Sequence, residues 1–424
     1  MSSDLEAFLA RRPESGMHLG LERIEAALDA LGRPQAAFPT VHVAGTNGKG
    51  STCAFLASAF AAEGKRVGLY TSPHLVSFRE RIRIGGKPIA EDQLEASWRR
   101  LRDAGDFVRD PEDPRSLSYF EVATALAFDA FAHAGVEVAV MEVGLGGRLD
   151  ATNVRGKDLR AAVVTRIGVD HVDQLGSDPA TIAREKGAIA RPHRPLVVGA
   201  QREAAARAAL LAQGRALGAE VIDVEAATRV ARAAEGLSYR GPRWALDGLA
   251  LGLAGAHQVE NARTALAVLE HLGVSPEAAR AGLSAARWPG RLHVLAERPL
   301  VVADGAHNPD GARALAEAWR ELWPTHRPHL VFAAMVDKAW AQVLESLLPL
   351  AETVHVCPVR SSRRTVEPER LAAAASGRPT YVHPTARAAL DAASRSAGRE
   401  GAVLVTGSLY LVGEVLALVG WTAD

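Results

Sequence analysis

The chain has 424 residues, 48% of them hydrophobic, enough at about 100–200 residues per domain for two or three domains with sizeable cores. Its 49 Lys and Arg balance 49 Asp and Glu, which argues against a protein built to coat nucleic acid or an anionic membrane. Cys53 and Cys357 are too few for a disulfide scaffold or a cysteine-rich zinc site, and the mixed-charge N-terminus shows no apolar signal region, so a cytoplasmic protein is expected.

In chain order, His18–Leu31 carries Leu21, Ile24, Leu28 and Leu31 at a helical period closed by Gly32. Thr40–Ala44 reads as a short strand, Gly45–Gly50 as a glycine loop, Ser51–Glu63 as a helix and Val67–Thr71 as a strand. Ser118–His133 reads as a helix, Val136–Val143 as a buried strand, Ala161–Ile167 as a strand and Pro179–Ala190 as a helix. This alternation predicts parallel strands with helices on both faces. Val224–Gly255 is glycine-punctuated and predicts antiparallel hairpins, followed by helices over Ala256–Leu272 and Pro276–Ala286. Trp288–Arg291 breaks the pattern. It restarts with a strand at Leu300–Ala303, a helix at Pro309–Leu322 and a strand at His329–Ala333. The apolar run Val403–Val419 is interrupted by Gly407, Ser408 and Glu414, and reads as strand–turn–helix rather than a membrane span. The expected architecture is two α/β units meeting near residues 292–298, with a ligand cleft between them.

Chemistry is concentrated at predicted strand ends. Gly45–Thr52 (GTNGKGST) lies between a strand and a helix, where backbone N–H groups and the helix N-terminus cradle an anion. Lys49 would reach the terminal phosphates, and Ser51 or Thr52 would meet Mg²⁺. Gly50 separates the lysine from the hydroxyl, a departure from the standard phosphate loop. Ser72 and His74 follow the next strand, on the edge where parallel sheets bind ligands. Glu142 ends the strongest strand, the place for an acidic Mg²⁺ ligand, and the glycines after it allow close approach of a substrate. His171 follows another strand and is a candidate metal ligand, with Lys186 fifteen residues on. Asp304 could meet ribose hydroxyls, and Arg291 could reach the γ-phosphate on domain closure. Ser118-Tyr119-Phe120-Glu121 is a capping box, which accounts for those residues structurally. Only 6 of the 49 basic residues are lysines, so a retained lysine points to chemistry that a guanidinium cannot do.

Taken in order, GTNGKGST, SPHL at Ser72–Leu75, GLGGRLDATN at Gly144–Asn153, Asp170-His171 and DGAHNP at Asp304–Pro309 resemble the folylpolyglutamate synthase and dihydrofolate synthase family of the Mur ligase superfamily, closest to its bifunctional bacterial members. The resemblance implies an N-terminal P-loop, parallel-sheet ATPase domain over 1–293 with a small antiparallel subsheet, and a Rossmann-like α/β domain over 294–424. It carries ATP binding onto Asn47, Gly48, Lys49, Gly50, Ser51, Thr52, Asn261, Arg291, Asp304 and His307. Two Mg²⁺ ions are implied, held by Ser72, Glu142, His171 and a carbamylated Lys186. Pteroate or folate contact is carried onto Leu19, Gly20, Ser118, Tyr119, Phe120, Glu121, Leu149, Asp150 and Ala151, and glutamate contact onto Ser408. The chain departs from the family at Glu185-Lys186-Gly187-Ala188-Ile189, where EKAGI is usual, and at Met335–Ala339, where MxDKD is usual.

The resulting expectation is an ATP-dependent amide ligase, with Lys49, Lys186 and His171 in the chemistry. It would add L-glutamate to dihydropteroate, to a reduced folate, or to both, through an acyl phosphate, as a monomer. The alternatives are a folylpolyglutamate synthase only, a P-loop phosphotransferase without ligase activity, a wall-building Mur ligase and a non-enzymatic binding module. For Lys186 the alternative is an ion pair with Glu185 on a solvated helix face.

Overall fold

The computed structural model describes residues 3–12, 20–108, 113, 115–170, 176–233, 235–362 and 364–423. The first sheet has eight strands: β1 (Pro39–Ala44), β2 (Val67–Tyr70), β3 (Ile82–Ile84), β4 (Lys87–Pro88), β5 (Val138–Glu142), β6 (Asp158–Val164), β7 (Pro195–Val198) and β8 (Glu220–Asp223), in the order β4-β3-β2-β5-β1-β6-β7-β8. β2 and β5 to β8 run parallel with β1 at the centre, and β3 and β4 add an antiparallel edge. That edge was not visible in the sequence, because Arg83 and Lys87 hide a strand pair only three and two residues long.

The period-2 rule explains how β5 is buried on both faces. Val138 and Val140 pack into one core beneath the Lys49–Ala62 helix, while Ala139 and Met141 pack into another beneath the Tyr119–His133 helix. Each such valine or methionine contributes about 1.5–3 kcal/mol on burial. β1 obeys the same alternation: Val41 and Val43 enter the first core, whereas the polar Thr40 and His42 fall on the opposite face and are fully buried there.

β9 (Arg229–Ala233), β10 (Gly236–Arg240) and β11 (Ala245–Leu249) form the antiparallel subsheet expected in this stretch. The second large sheet has six strands, β12 (His293–Glu297), β13 (Leu300–Ala303), β14 (Pro328–Phe332), β15 (Thr353–Val356), β16 (Thr380–Val382) and β17 (Ala402–Thr406), in the order β12-β13-β17-β14-β15-β16. Only β12 is antiparallel to its neighbour. The predicted Leu300–Ala303 strand and Pro309–Leu322 helix form with those bounds. Other ends move: the helix after the glycine loop starts at Lys49 rather than Ser51, and β5 runs from Val138 to Glu142 rather than from Val136 to Val143. Among the described residues no helix is long and apolar enough to cross a membrane.

Candidate active site

A cavity of about 370 Å³ opens between the two large sheets at the C-terminal end of β1. It lies where the strand order of the first sheet reverses, since the chain leaves β1 for β2 on one side while β6 lies on the other. Gly45 has φ 147° and Gly48 has φ 89°, both unfavourable to residues with a Cβ. A Cβ at Gly48 would also collide with the Asn261 side chain, and one at Gly50 would lie 2.6 Å from the Trp288 indole nitrogen. The additional glycine of the loop therefore has a packing cause: the helix start lies flat against an indole. Lys49 arches back over its own loop, its Nζ donating to the carbonyls of Gly45 (3.1 Å) and Thr46 (3.2 Å). Of the two candidate hydroxyls, Ser51 lines the cavity and its Oγ accepts from Gln258 Nε2 at 3.2 Å. Thr52 is fully buried, off the cavity wall. Asn47 lines the cavity with a buried Nδ2 that has no partner among the described residues, a donor suited to a phosphate oxygen.

Glu142, at the end of β5, is 5% exposed and accepts the Ser72 N–H at 3.2 Å. Burial raises its pKa, and the nearby Lys49 charge opposes that rise. Lys186 reaches the same cavity from the Pro179–Gly187 helix and is 4% exposed. Burial, followed by repulsion from Lys49, lowers its pKa to about 7. Glu185 turns away to Arg148, at 3.2 Å, so the expected alternative of a solvated Glu185–Lys186 pair is not what forms. His171 lies outside the described residues. Among the described residues no three His, Cys, Asp or Glu side chains converge as a metal cluster. Glu142 and Ser72 offer oxygen donors that fit Mg²⁺ as a hard ion completed by phosphate oxygens and water, not as a closed protein cage, whereas the unmodified Lys186 amine is not such a donor.

The second unit supplies the facing wall. Arg291, Asp304, His307 and Ser408 all line the cavity. Asp304 uses one carboxylate oxygen on the Leu292 N–H and the other on the Ala306 N–H, both at 2.9 Å, so it holds the crossover between the units as well as facing the cavity. Ser408 caps the Leu409–Leu418 helix. Contacts absent from the sequence reading join the two walls: Asn308 Nδ2 donates to Asn47 Oδ1 at 2.9 Å, and Lys338 Nζ donates to Asp170 at 2.6 Å. Lys338 lies in the Met335–Ala339 segment, where the chain departs from the family pattern.

The residues expected to meet pteroate or folate divide. Phe120 and Asp150 line the cavity, and Gly144 leaves room for the Phe120 ring, which a Cβ would strike. Gly20, Ser118, Tyr119, Glu121, Leu149 and Ala151 do not line it. Ser118 and Glu121 form the capping box, and Glu121 also pairs with Arg23 at 3.1 Å. Leu19 lies outside the described residues. The sequence reading missed Arg81, which is 2% exposed yet lines the cavity, donating to His74 Nδ1 at 2.8 Å over the Tyr119 ring. Its place in the charged run Arg79-Glu80-Arg81 gave no sign of burial.

Residues 43–269 match the Mur ligase middle domain, and residues 290–409 match the Mur ligase glutamate ligase domain. The chain is 36% identical over 97% of its length, and 92% of the relative's, to the dihydrofolate synthase/folylpolyglutamate synthase of Mycobacterium tuberculosis. It is 35% identical to the Escherichia coli protein of the same name, over 97% and 94% of the two chains. It also spans about half, 48%, of a Haloferax volcanii protein called a probable bifunctional folylpolyglutamate synthase/dihydropteroate synthase, at 37% identity over 95% of this chain. Among solved structures it superposes on Escherichia coli FolC in complex with DHPP and ADP with a TM-score of 0.89, at 34% identity over 99% and 97% of the chains. It superposes on a Yersinia pestis bifunctional folylpolyglutamate synthase/dihydrofolate synthase with Mn, AMPPNP and L-glutamate bound with a TM-score of 0.86, at 33% identity over 98% of each chain.

Proposed function

We propose, from the premise that this chain belongs to the dihydrofolate synthase/folylpolyglutamate synthase family of Mur ligases and is an ATP-dependent ligase, that it joins L-glutamate to dihydropteroate and to reduced folates through an acyl phosphate. One observation carries the reading. A single cavity brings the Lys49 loop, Glu142 and Lys186 from one unit against His307 and Ser408 from the other, with Arg291 at the boundary between them. A phosphotransferase without ligase activity has no need of the second wall. The same reading divides the chain at about residue 293, supported by the entry of β12 into the second sheet there.

A carboxylate resists attack by an amine because its oxygen leaves badly. In the proposed reaction the substrate carboxylate attacks the γ-phosphorus, and ADP departs. The glutamate amine then attacks the acyl carbon, and phosphate departs. Lys49 and Arg291 neutralise charge on the transferring phosphoryl group, with Asn47 donating to a phosphate oxygen. Asn261, His307 and Asp304 position the nucleotide, and closure of the walls keeps water from the acyl phosphate. Two Mg²⁺ ions, held by Ser72 and Glu142 and by His171 and Lys186, would supply charge stabilisation when bound. A neutral Lys186 amine adds CO₂ and loses a proton to give a carbamate, turning a cation into an oxygen ligand. Its lowered pKa supports that step. Phe120 and Asp150 face the pteroate or folate, and Ser408 the glutamate.

The test is product mass from purified protein, ATP, Mg²⁺ and glutamate, with dihydropteroate or a monoglutamyl folate as acceptor. One added glutamate on each acceptor, with ADP formed only when acceptor and glutamate are both present, is the expected result. Extension of folate alone restricts the enzyme to folylpolyglutamate synthesis. ADP formation that ignores the amine overturns the ligase reading.

A further inference from the structure

The two units touch through a pair of side-chain amides whose direction the backbone decides. Asn308 is 3% exposed and caps the Pro309–Leu322 helix, its Oδ1 accepting the Gly311 N–H at 2.8 Å. A backbone N–H only donates, so the Asn308 oxygen must face it and Nδ2 must face the other way. There Nδ2 donates to Asn47 Oδ1 at 2.9 Å, across the boundary between the units. An amide nitrogen also only donates, so Asn47 gives its oxygen to Asn308 and turns its own Nδ2 away from it. That Nδ2 is buried and has no partner among the described residues. Gly168 stands beside it. A Cβ there would lie 3.5 Å from Asn47 Nδ2 and 2.5 Å from Asp310 Oδ2, so glycine leaves room where these two side chains converge.

The main chain of Asn47 is fixed from within its own unit. Its N–H donates to the Arg166 carbonyl at 3.1 Å, and its carbonyl accepts the Thr165 hydroxyl at 2.8 Å. Only the side-chain amide is set from the other unit. We infer that Asn308 is a positioning residue for ATP: it holds the Asn47 amide with Nδ2 offered to a nucleotide phosphate and Oδ1 turned from it, so that the phosphate loop is complete only when the second unit is seated on the first. The inference rests on the reading that Asn47 donates to a phosphate oxygen.

The chemistry makes the orientation matter. An amide that turns about its last bond can present either end. A phosphate oxygen accepts and does not donate, so an Asn47 that presents Oδ1 repels it, and an unheld amide must be ordered when the nucleotide binds. Seating of the units does not hang on Asn308 alone. Lys338 to Asp170 at 2.6 Å, Arg202 to Asp310 at 3.6 Å, and Arg232 to Glu321 also span the boundary. Removing the Asn308 amide therefore unlocks Asn47 without parting the units. The coupling is reciprocal: if the seated second unit tightens phosphate binding, a bound nucleotide holds that unit seated by the same factor.

The test is calorimetric titration of the full-length enzyme with AMPPNP and Mg²⁺, which needs no amide formation, so failure of the ligase reading leaves the measurement intact. Asn308→Ser keeps a capping oxygen for Gly311 and removes the donor to Asn47. Asn308→Asp also keeps the cap but offers Asn47 only acceptors, which draws the Asn47 Nδ2 back toward position 308. Both are expected to weaken AMPPNP binding, about tenfold for Asn308→Ser and further for Asn308→Asp, where the added negative charge acts in the same direction, with the ligand-free unfolding midpoint near that of the wild type. Asn47→Ala should show a loss similar to that of Asn308→Ser. Adding Asn308→Ser to Asn47→Ala should cost less than about twofold more, because Asn308 acts through Asn47. A merely structural cap would instead lower the unfolding midpoint and leave the affinity alone. Wild-type affinity in Asn308→Ser, or a full further loss in the double variant, overturns the positioning role. Wild-type affinity in Asn47→Ala overturns the phosphate contact of Asn47 itself, and this inference with it.

Discussion

The phosphate-loop wall, read from its own glycine loop, and the Ser118–Ala151 wall, expected from the family resemblance, line the same cavity yet hold their residues differently. On the first wall every expected residue from Asn47 to Ser51 faces the cavity, and only Thr52 does not, because the glycine loop uses its own backbone as the binding surface. Of the substrate contacts expected on the second wall, only Phe120 and Asp150 face it, while Ser118, Tyr119, Glu121, Leu149 and Ala151 do not. A motif that binds through backbone N–H groups must be contiguous. A wall that binds through side chains can take one residue per turn and use the rest as scaffold. The contrast makes a sharp demand: substitutions on the first wall should cost turnover, and most on the second should cost stability.

The largest effect is expected at Lys49 and Glu142. Lys49→Ala removes an ammonium that among the described residues bonds only to its own loop carbonyls, and should lower kcat about 10²–10³-fold with the unfolding midpoint unchanged. Glu142→Gln keeps the shape and the Ser72 contact, and should shift the Mg²⁺ concentration needed for half-maximal rate. A Glu142→Gln enzyme with unaltered metal dependence removes that residue from the metal site.

Lys186 lies between the two behaviours. A lysine with a folded-state pKa of about 7 binds fewer protons folded than unfolded between about pH 7 and 10.4. Stability from this group therefore rises with pH through that window, and below pH 7 the folded state bears the full cost of a buried ammonium. Lys186→Met should consequently inactivate the enzyme while raising its melting temperature, most at pH 6 and least at pH 10. Wild-type activity should climb between about pH 6 and 8 as the amine becomes neutral. A destabilised Lys186→Met at pH 6 contradicts the buried-cation argument.

Gly50 tests whether the added glycine is packing or phosphate chemistry. Gly50→Ala brings a methyl to within 2.6 Å of the Trp288 indole nitrogen, so the loop must shift away from it. About a tenfold rise in KM for ATP is expected, with most of it reversed by pairing Gly50→Ala with Trp288→Leu. No relief in the double variant places the cause in the phosphates instead.

These particulars show what the sequence could convey. Lys49, Glu142 and Asp304 were legible because each stands at a predictable strand end beside a glycine loop. Arg81 was not, since a buried arginine and a surface one look alike in a charged run, and only the Tyr119 ring above it and His74 beside it separate them. His42 and Lys157 were equally silent. One is a polar interruption in an apolar strand and the other begins the next strand's approach, and they meet through the parallel pairing of β1 with β6. The Asn308–Asn47 and Lys338–Asp170 bonds join residues more than 160 positions apart, which no local pattern encodes.

The smallest effect, and the one most able to break the contrast between walls, belongs to Ser118. Its hydroxyl accepts the Glu121 N–H at 3.3 Å, and its own N–H donates to the Glu121 carboxylate at 2.8 Å. Ser118→Ala removes the first bond and leaves the second, together with the ion pair from Glu121 to Arg23. Loss of an N-cap hydroxyl costs about 0.5–2 kcal/mol. Urea unfolding should therefore shift by roughly 1 kcal/mol, while kcat and the KM for dihydropteroate and folate stay within about twofold. The Phe120 ring is the indicator, since it stands two residues along the same helix turn and lines the cavity. If the cap serves only to start the helix, the ring stays put and substrate affinity is untouched. A large rise in KM from Ser118→Ala, with stability unchanged, would show that the hydroxyl meets the substrate after all and that the second wall, like the first, binds through consecutive residues.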